Sequence, residues 1–141
     1  MAEQINFQIK AIETLELSIN QFDGEIPEEM QVGYNYELQH NINVEHQVTA
    51  VVCTLKISDQ KSKKTFGRLK VACIYHIVDI EKYLSEDKKT VLFPEGFNIT
   101  LNSITLSTVR GIAYARFQGT YLQNAILPII DPKSFVLGDP Q

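Results

Sequence analysis

The first third of the chain alternates between apolar and polar residues with a period of two. Apolar side chains fall on odd positions over residues 5–19 and on even positions over residues 32–44. This period is typical of strands with one buried face, so both runs are predicted as half-buried β-strands. The alternation breaks at Ile12 and Glu13, which predicts a bulge in the first strand.

Two further strands are predicted over residues 48–57 and 66–78, and a polar hairpin loop at 58–65 joins them. Each strand has one apolar face, and each also carries apolar residues on the opposite face. These second-face residues are Ala50, Val52, Ala72, Ile74 and Val78. Because a sheet that is apolar on both faces is covered on both, we expect another element or another subunit against the second face.

The hydrophobic period becomes that of a helix from about Phe97, and apolar residues recur at three- and four-residue spacings as far as Phe117. Asn98 or Thr100 is predicted as the N-cap, and Gly119 is predicted to close the helix. A further glycine lies inside the predicted helix at position 111, where glycine often marks the close approach of another backbone.

The remaining segments are less regular. Residues 80–91 are compatible with a short helix or a solvated loop, and prolines interrupt residues 121–141. Four antiparallel strands and one long helix define an α+β fold, in which a four-stranded antiparallel meander sheet carries the helix on one face. A length of 141 residues is that of one domain, so we expect a single domain over residues 1–141.

One helix covers one face of a four-stranded sheet, and the sequence contains more apolar surface than that. The surplus lies on the second face of the third and fourth strands and at residues 126–130. An oligomer or a hydrophobic partner is the simplest use for such a surplus.

Composition narrows the class of partner. Thirteen basic and seventeen acidic residues give a net charge of −4, which argues against binding the phosphates of a nucleic acid. No apolar run approaches the ~18 residues that a membrane span needs. The first five residues have neither a basic start nor an apolar core of a secretory signal, so we expect a cytoplasmic protein.

The sequence contains few candidates for catalytic or metal-binding residues. Cys53 and Cys73 lie in apolar runs and are predicted to be reduced and buried, since they lack the spacing of a zinc or redox motif. The histidines at positions 40, 46 and 76 are not part of any metal-binding motif, and no nucleophile or phosphate-binding motif is present. We therefore expect no catalytic residue, no metal and no cofactor.

Several short strings, in their order and spacing, resemble the SecB family of export chaperones. The strings are Phe7-Gln8-Ile9, Ile74-Tyr75-His76-Ile77, Leu92-Phe93-Pro94, Thr108-Val109-Arg110-Gly111, Gly119-Thr120-Tyr121-Leu122-Gln123 and Leu127-Pro128. The resemblance covers nearly the whole chain. It implies a four-stranded antiparallel sheet with a long helix, assembled as a homotetrameric dimer of dimers in which the helices pack between the sheets.

The resemblance also implies a function. SecB-like chaperones have no enzymatic activity and no cofactor; they hold non-native polypeptides in apolar grooves without ATP, in protein transport, and pass preproteins to the SecA motor. A groove with apolar walls beside a strand edge suits an unfolded client, which offers apolar side chains and free backbone. Carried onto this chain, the client-binding groove would be lined by Phe93, Tyr121, Leu122, Ile126, Leu127 and Ile129.

The sequence departs from the family at the positions that would bind SecA. Glu16 matches the first of the family's acidic SecA-binding residues, but the second falls on Asn20 and the third on Arg68. The chain also ends soon after Phe135, where the family has a second C-terminal helix. These departures favour a dedicated client, such as an antitoxin of a toxin–antitoxin–chaperone module or a phage-related protein.

Two alternatives remain open at this point. The first is a SecB-fold adaptor that recognises one specific protein partner or a short peptide motif. The second is a small-ligand-binding α+β protein, whose pocket would lie between helix and sheet near Tyr36 and His40.

Overall fold

The computed structural model describes residues 5–21, 31–125 and 129 of the chain. The elements follow one another as strands β1 (Phe7–Ile19), β2 (Val32–Asn43), β3 (Val48–Asp59) and β4 (Thr65–Ile77), a 3₁₀ turn (Ile80–Tyr83) and helix α1 (Glu95–Arg116). The four predicted strands and the long helix are confirmed, and with them the α+β class. Residues 80–91 form the 3₁₀ turn and a short loop, closed by a bridge between Leu84 and Val91.

The strands form one antiparallel sheet in the order β1-β4-β3-β2. Strands β2, β3 and β4 follow one another as hairpins. The first strand pairs instead with the free side of β4, so that Phe7 lies opposite Ile77 and Ile19 lies opposite Gly67. Consecutive strands β1 and β2 therefore lie at opposite edges of the sheet.

The core lies between α1 and the two central strands. Leu55 of β3 and Leu69 of β4 are paired and fully buried, as are their neighbours on the same face. Along the helix and at the residue that caps its end, every fourth residue is buried against this face, namely Leu101, Thr105, Val109, Ala113 and Phe117. A spacing of four residues places these side chains in one row along the helix, so α1 lies over β3 and β4.

The predicted start of the helix is wrong. It begins at Glu95, after Pro94, so Asn98 and Thr100 lie inside the helix instead of capping it. Proline has a fixed φ, here −54°, that suits the entry to a helix, and its carbonyl accepts the first helical hydrogen bond from the Phe97 amide at 2.9 Å. At the other end the helix stops at Arg116, and Gly119 takes the left-handed φ of 81°, consistent with the prediction.

The predicted bulge of β1 is also misplaced. The pairing with β4 shifts twice, once at Lys10 and once at Leu15, instead of at Ile12 and Glu13. Each extra residue reverses which side of the strand faces the helix. The segment between the two bulges is therefore inverted, and Ile12 lies on the helix side of the sheet opposite Cys73.

The second face of the sheet has a small apolar centre. Ala72 and Val52 are paired there and buried by their neighbours, and Ala50 and Ile74 are half-buried. Within the described ranges, α1 is the only long helix, and it packs on the other face. The predicted cover of this second face, by another element or another subunit, stays a prediction.

Candidate functional site

Strand β1 carries a row of exposed apolar side chains, which we call the β1 strip. Its members are Ile9 (41% exposed), Ile12 (48%), Leu15 (51%) and Leu17 (37%). The sequence predicts a buried face for this strand. The side chains are exposed because α1 lies over β3 and β4 and leaves the edge strand uncovered. Apolar surface on an edge strand is a marker of an interaction site.

The side of α1 that faces solvent carries small, uncharged side chains over most of its length. Gly96, Thr100, Ser103, Ser107 and Gly111 lie three or four residues apart and are all exposed. We call this row the small-residue face. A Cβ added to Gly111 would have no atom within 4 Å, so the close backbone approach predicted at this glycine does not occur within the described chain. Tyr114 continues the row with 56% of its surface exposed.

The residues after α1 return to the far end of the sheet. The Tyr121 hydroxyl donates to the carbonyl oxygens of Asn20, at 2.5 Å, and Phe66, at 3.2 Å. Its ring also packs edge-on against Phe66, with 5.9 Å between centroids. Leu122 is fully buried over Gly67. These contacts fix the segment that follows the helix against the ends of β1 and β4.

A chain of aromatic rings fills the opposite end of the molecule. Tyr83, Phe93, Phe97 and Phe7 follow one another with centroid separations of 5.4, 5.0 and 5.0 Å, and Phe7 also contacts Tyr75 at 6.3 Å. Phe93 is buried within this cluster. Aromatic pairs in this geometry add to the stability that burial provides.

The structure brings some predicted groove residues together and separates others. Phe93 precedes the first turn of α1 and Tyr121 and Leu122 follow its last turn, so the two groups lie at opposite ends of a 22-residue helix, which is about 33 Å long. Ile129 is 88% exposed. Ile126 and Leu127 lie outside the described residues.

Glu16, the predicted partner-binding residue, lies on the outer face of β1. Its Oε1 atom is 3.5 Å from Nε of Arg68, and both side chains are about half-exposed. The Asn20 side-chain amide, at the second of the three positions compared with the SecA-binding acids, donates to the Thr65 carbonyl at 2.6 Å. In this chain, however, one of the three is basic and neutralises the only acidic one.

Two polar contacts join α1 to the sheet. His40 Nε2 lies 2.7 Å from Asn102 Oδ1, and burial lowers the pKa of the imidazole although the asparagine opposes this shift. The Tyr75 hydroxyl lies 2.7 Å from Thr105 Oγ1, in the buried interior. Burial raises the pKa of this tyrosine, so both pairs are uncharged at neutral pH.

The cysteines are free and buried, as predicted. Burial raises the pKa of the Cys53 thiol to about 12, so the thiol is protonated and unreactive at neutral pH. Over the described residues there is no group of three or more side chains that could hold a metal ion. No helix in this part of the chain has the length and hydropathy to cross a membrane.

The exposure of the β1 strip is not predicted by the sequence. Strict alternation predicts a buried face for β1, because it does not reveal how many strands one helix covers. The surplus of apolar residues is the available signal, but it lies on β3, β4 and the C-terminal segment.

The antiparallel sheet with one helix over its central strands and an uncovered apolar edge defines a SecB-like α+β fold. A solved structure with this fold is the Mycobacterium tuberculosis Rv1957 SecB-like chaperone, in complex with a ChAD peptide from the Rv1956 HigA1 antitoxin. It matches with a TM-score of 0.65 and 12% identity over 88% of this chain and 90% of that chain. A Streptococcus agalactiae protein of unknown function matches at a TM-score of 0.37, with 12% identity over 92% of this chain and 98% of that chain.

Comparisons of sequence give no further relative. No protein-family model matches the chain, and no curated protein sequence matches it. At 12% identity the likeness to the mycobacterial chaperone establishes the fold alone.

Proposed function

We propose that this protein is an ATP-independent chaperone, a holdase that binds non-native polypeptides in the cytoplasm. The observation that carries the proposal is the β1 strip, four large apolar side chains exposed in a row along an edge strand. An unfolded client presents apolar side chains, and the β1 strip offers apolar surface on which they can be buried. The SecB-like fold supports the proposal, since the mycobacterial neighbour is a chaperone with a peptide bound.

The client-binding surface combines the β1 strip with the residues predicted from the family resemblance. Tyr121 is half-exposed and Ile129 is exposed, so both are available as walls, and Leu122 is buried beside Gly67. We assign Ile126 and Leu127 to the same surface. Phe93 lies at the other end of α1. We assign it to a second part of the client-binding surface, where it is buried beneath the surface.

Assembly into a dimer of dimers is part of the proposal. The small-residue face of α1 supports it, because an exposed helix face without charged side chains permits close approach of a second helix. Such a contact would supply the neighbour that Gly111 lacks within the chain. Packing helices from two pairs of subunits between their sheets would also remove this face from water.

A dedicated client fits this chain better than handover to SecA. Glu16 is the only acidic residue at the three positions compared with the SecA-binding acids, and it pairs with Arg68. The mycobacterial neighbour is bound to a peptide from an antitoxin, which supports a client of that kind. The same observation favours the second candidate function, an adaptor that binds one specific protein segment.

Suppression of aggregation tests the holdase proposal. Reduced insulin, whose B chain aggregates, is mixed with the native protein at a near-stoichiometric ratio, and light scattering is followed. We expect the native chain to suppress scattering and the Ile12→Ser/Leu15→Ser variant to lose most of this effect. Leu92→Ser is the matched control, since Leu92 is 66% exposed but lies outside the β1 strip.

The outcomes separate the candidate functions. Equal suppression by the native chain and the β1 variant would show that the strip does not bind clients. No suppression by the native chain, together with tight binding to one partner protein, would replace the holdase with the adaptor. Light scattering of the native chain at micromolar concentration tests assembly, and a stable monomer would contradict it.

A further inference from the structure

Basic residues are concentrated in the β3–β4 hairpin. Residues 56–70 contain six of the thirteen basic residues of the chain and one acidic residue, Asp59. The rest of the chain has seven basic and sixteen acidic residues, so the hairpin is strongly positive in an otherwise negative protein. The Asp59 carboxylate accepts hydrogen bonds from the Lys61 amide at 3.2 Å and from the Ser62 hydroxyl at 2.8 Å. This single carboxylate is therefore engaged within the turn.

Three of these basic residues form a patch on the second face of the sheet. Lys56 of β3 lies directly opposite Arg68 of β4, and Lys70 follows two residues later on β4, before Ala72 of the same face. We call these three residues the basic patch. Lys56 and Arg68 are exposed, and Lys70 is half-buried. Opposite Cβ atoms are about 5 Å apart and diagonal ones about 7–8 Å, so three cations share a small area.

The neighbours of the basic patch leave most of its charge in place. Glu16 of β1 is paired with Lys70 in register, but its carboxylate approaches Arg68, at 3.5 Å. Lys56 and Lys70 form no ion pair with any residue that the structure describes. Like charges directly opposite each other destabilise a sheet, so the pair of Lys56 and Arg68 costs stability in the isolated chain. A local cost of this kind is expected at a functional site.

An apolar patch adjoins the basic patch on the same two strands. It consists of Ala50 and Val52 of β3 and Ala72 and Ile74 of β4. Apolar surface in the middle of a sheet face is typically covered by another layer, such as a helix. From position 50 to position 56 the two patches extend over about 20 Å of strand, which is the length of about 13 helical residues.

Acidic residues on both sides of the basic patch limit what can bind it. Glu16 lies beside the patch on β1, and Glu37 lies beyond Thr54 on β2. The positive surface is therefore only two strands wide, and neighbouring strands are about 5 Å apart. A nucleic acid distributes its phosphates over a wider surface and would bring them against both glutamates. A single helix placed along β3 and β4 would cover the patch alone.

A second copy of this chain does not supply a suitable helix. The sequence of α1 has one acidic residue, Glu95 at its first position, and two basic residues, Arg110 and Arg116. Beyond its first turn this helix is positive, so the basic patch would repel it. The occupant that complements both patches is an acidic amphipathic helix of another protein.

We propose that the second face of the sheet binds an acidic amphipathic helix of a partner protein. The apolar side of that helix packs on the apolar patch, and its acidic residues pair with Lys56, Arg68 and Lys70. The inference goes beyond the proposed function, because most of the β1 strip lies on the helix side of the sheet. A client on the β1 strip and a partner helix on the second face can therefore be bound together.

Fluorescence anisotropy with three labelled peptides tests the proposal. Each peptide has about 14 residues, enough to span both patches, and a hydrocarbon staple holds it helical opposite a row of leucines. The first carries three glutamates near one end, and the others carry glutamine or lysine at those positions. We expect the native protein to bind the glutamate peptide about tenfold more tightly than the glutamine peptide, the factor that three exposed ion pairs together provide. High salt is expected to abolish this preference, because it screens exposed charges.

Paired substitutions assign the preference to the basic patch. Lys56→Gln/Lys70→Gln is expected to bind the glutamate and glutamine peptides equally. Lys88→Gln/Lys89→Gln removes the same charge from the exposed loop before α1 and is expected to keep the native preference. The urea midpoint of Lys56→Gln/Lys70→Gln is expected to equal or exceed the native one, because the substitution relieves the repulsion from Arg68.

Charge reversal gives a result that misfolding cannot imitate. Lys56→Glu/Lys70→Glu is expected to bind the lysine peptide more tightly than the glutamate peptide. The half-buried Ile74 tests the apolar patch. Ile74→Ser is expected to weaken the binding of all three peptides and to leave their order unchanged.

Other occupants of the face give different results. Equal binding of the glutamate and glutamine peptides by the native protein would overturn the proposal, and so would loss of the preference in Lys88→Gln/Lys89→Gln. Tighter binding of a single-stranded RNA than of the glutamate peptide, at the same salt, would assign the patch to nucleic acid. A preference that appears only in Glu25→Gln/Glu28→Gln/Glu29→Gln would assign it to the acidic residues that the chain itself carries between β1 and β2.

Two further measurements separate this site from the client-binding surface and from assembly. Suppression of insulin scattering is expected to be unchanged when the glutamate peptide is present at saturation. Loss of suppression would show that the peptide binds in place of the client, and would overturn the proposal. A smaller mass of Lys56→Gln/Lys70→Gln than of the native protein, by light scattering, would assign the face to a second copy and overturn it as well.

Discussion

Leu122 packs directly over Gly67, and a Cβ at that glycine would lie 3.1 Å from Leu122 Cδ1 and 3.1 Å from the Ser18 carbonyl oxygen. The contact joins the segment after α1 to the paired ends of β1 and β4. Glycine at position 67 is therefore a packing requirement, since both neighbours occupy the space of a side chain.

Substitution of this glycine is expected to destabilise the protein. Gly67→Ala forces the buried Leu122 side chain and the backbone of β1 to move, at a cost of about 1–3 kcal/mol. The free energy of unfolding in urea, at a fixed protein concentration, measures the effect. Gly96→Ala is the matched control, because a Cβ there meets nothing within 4 Å and alanine favours a helix by up to about 1 kcal/mol. A Gly67→Ala variant as stable as the native chain would show that the contact relaxes freely.

The buried pair of Tyr75 and Thr105 gives a second prediction. Thr105→Val removes the 2.7 Å partner of the Tyr75 hydroxyl and leaves it the weaker contacts with the Leu101 carbonyl at 3.4 Å and the Cys73 thiol, so we expect a loss of about 1–3 kcal/mol. The double variant Tyr75→Phe/Thr105→Val removes both hydroxyls and is expected to be more stable than Thr105→Val alone. A double-mutant cycle in urea measures the coupling, and additive single effects would contradict a direct hydrogen bond.

The burial of His40 predicts a pH dependence of stability. Burial places the pKa of His40 in the folded chain below its ordinary value of 6.5. Between these two values the unfolded chain binds more protons, so stability is fully present above pH 6.5 and falls as the pH decreases through the folded pKa. We expect a lower urea midpoint at pH 5.5 than at pH 7.5.

The variant His40→Gln is expected to reduce this difference, since glutamine does not titrate and can still bond to Asn102. His46→Gln removes a histidine from the exposed turn between β2 and β3 and serves as the control. An unchanged pH response in His40→Gln would show that other groups cause the acid sensitivity.

The small-residue face predicts the effect of a bulky charge on assembly. Ser107→Arg places a long cation in the middle of that face and is expected to dissociate the proposed tetramer into smaller species. Gln60→Arg introduces the same side chain at the exposed end of the β3–β4 hairpin and is expected to leave the mass unchanged. Multi-angle light scattering gives the masses. Tetramers of Ser107→Arg would exclude the helix face from the interface.

The central strands and the helix row could be predicted from the sequence, but the edges of the sheet could not. Leu55, Leu69 and Val109 are in phase with their elements, and periodicity alone places them in the core. Ile9 and Leu17 also fall on the apolar positions of their strand. They are exposed nevertheless, because burial depends on which strands α1 covers.

Two predictions from the sequence, the start of the helix and the position of the bulge in β1, are wrong. Asn98 and Thr100 are good capping residues, but Pro94 starts the helix first, and the Thr100 hydroxyl instead donates to the Gly96 carbonyl at 3.0 Å. Ile12 is out of phase with the alternation of β1, but the bulges at Lys10 and Leu15 bring it onto the helix side. Each bulge shifts the alternation by one residue, so after two bulges the apolar positions at both ends of the strand are again odd-numbered. The alternation therefore does not show that the segment between the bulges faces the opposite way.

The structure gives the positions of the predicted groove residues that it describes, and their role in client binding stays a prediction. The family resemblance pointed to apolar residues near a strand edge, and Tyr121 and Leu122 do lie beside the ends of β1 and β4. Phe93 is a helix length away from them, a separation that sequence order does not reveal.

The strand order β1-β4-β3-β2 constrains how the chain folds during synthesis. Strand β1 leaves the ribosome first, but its hydrogen-bonding partner β4 ends only at Ile77. The hairpins β2–β3 and β3–β4 can close as soon as each is made, since their contacts are local, whereas β1 must wait to close a much longer loop. The most apolar exposed strand of the finished protein is thus the last to be paired, and a nascent chain stalled before β4 would present it as an aggregation-prone segment.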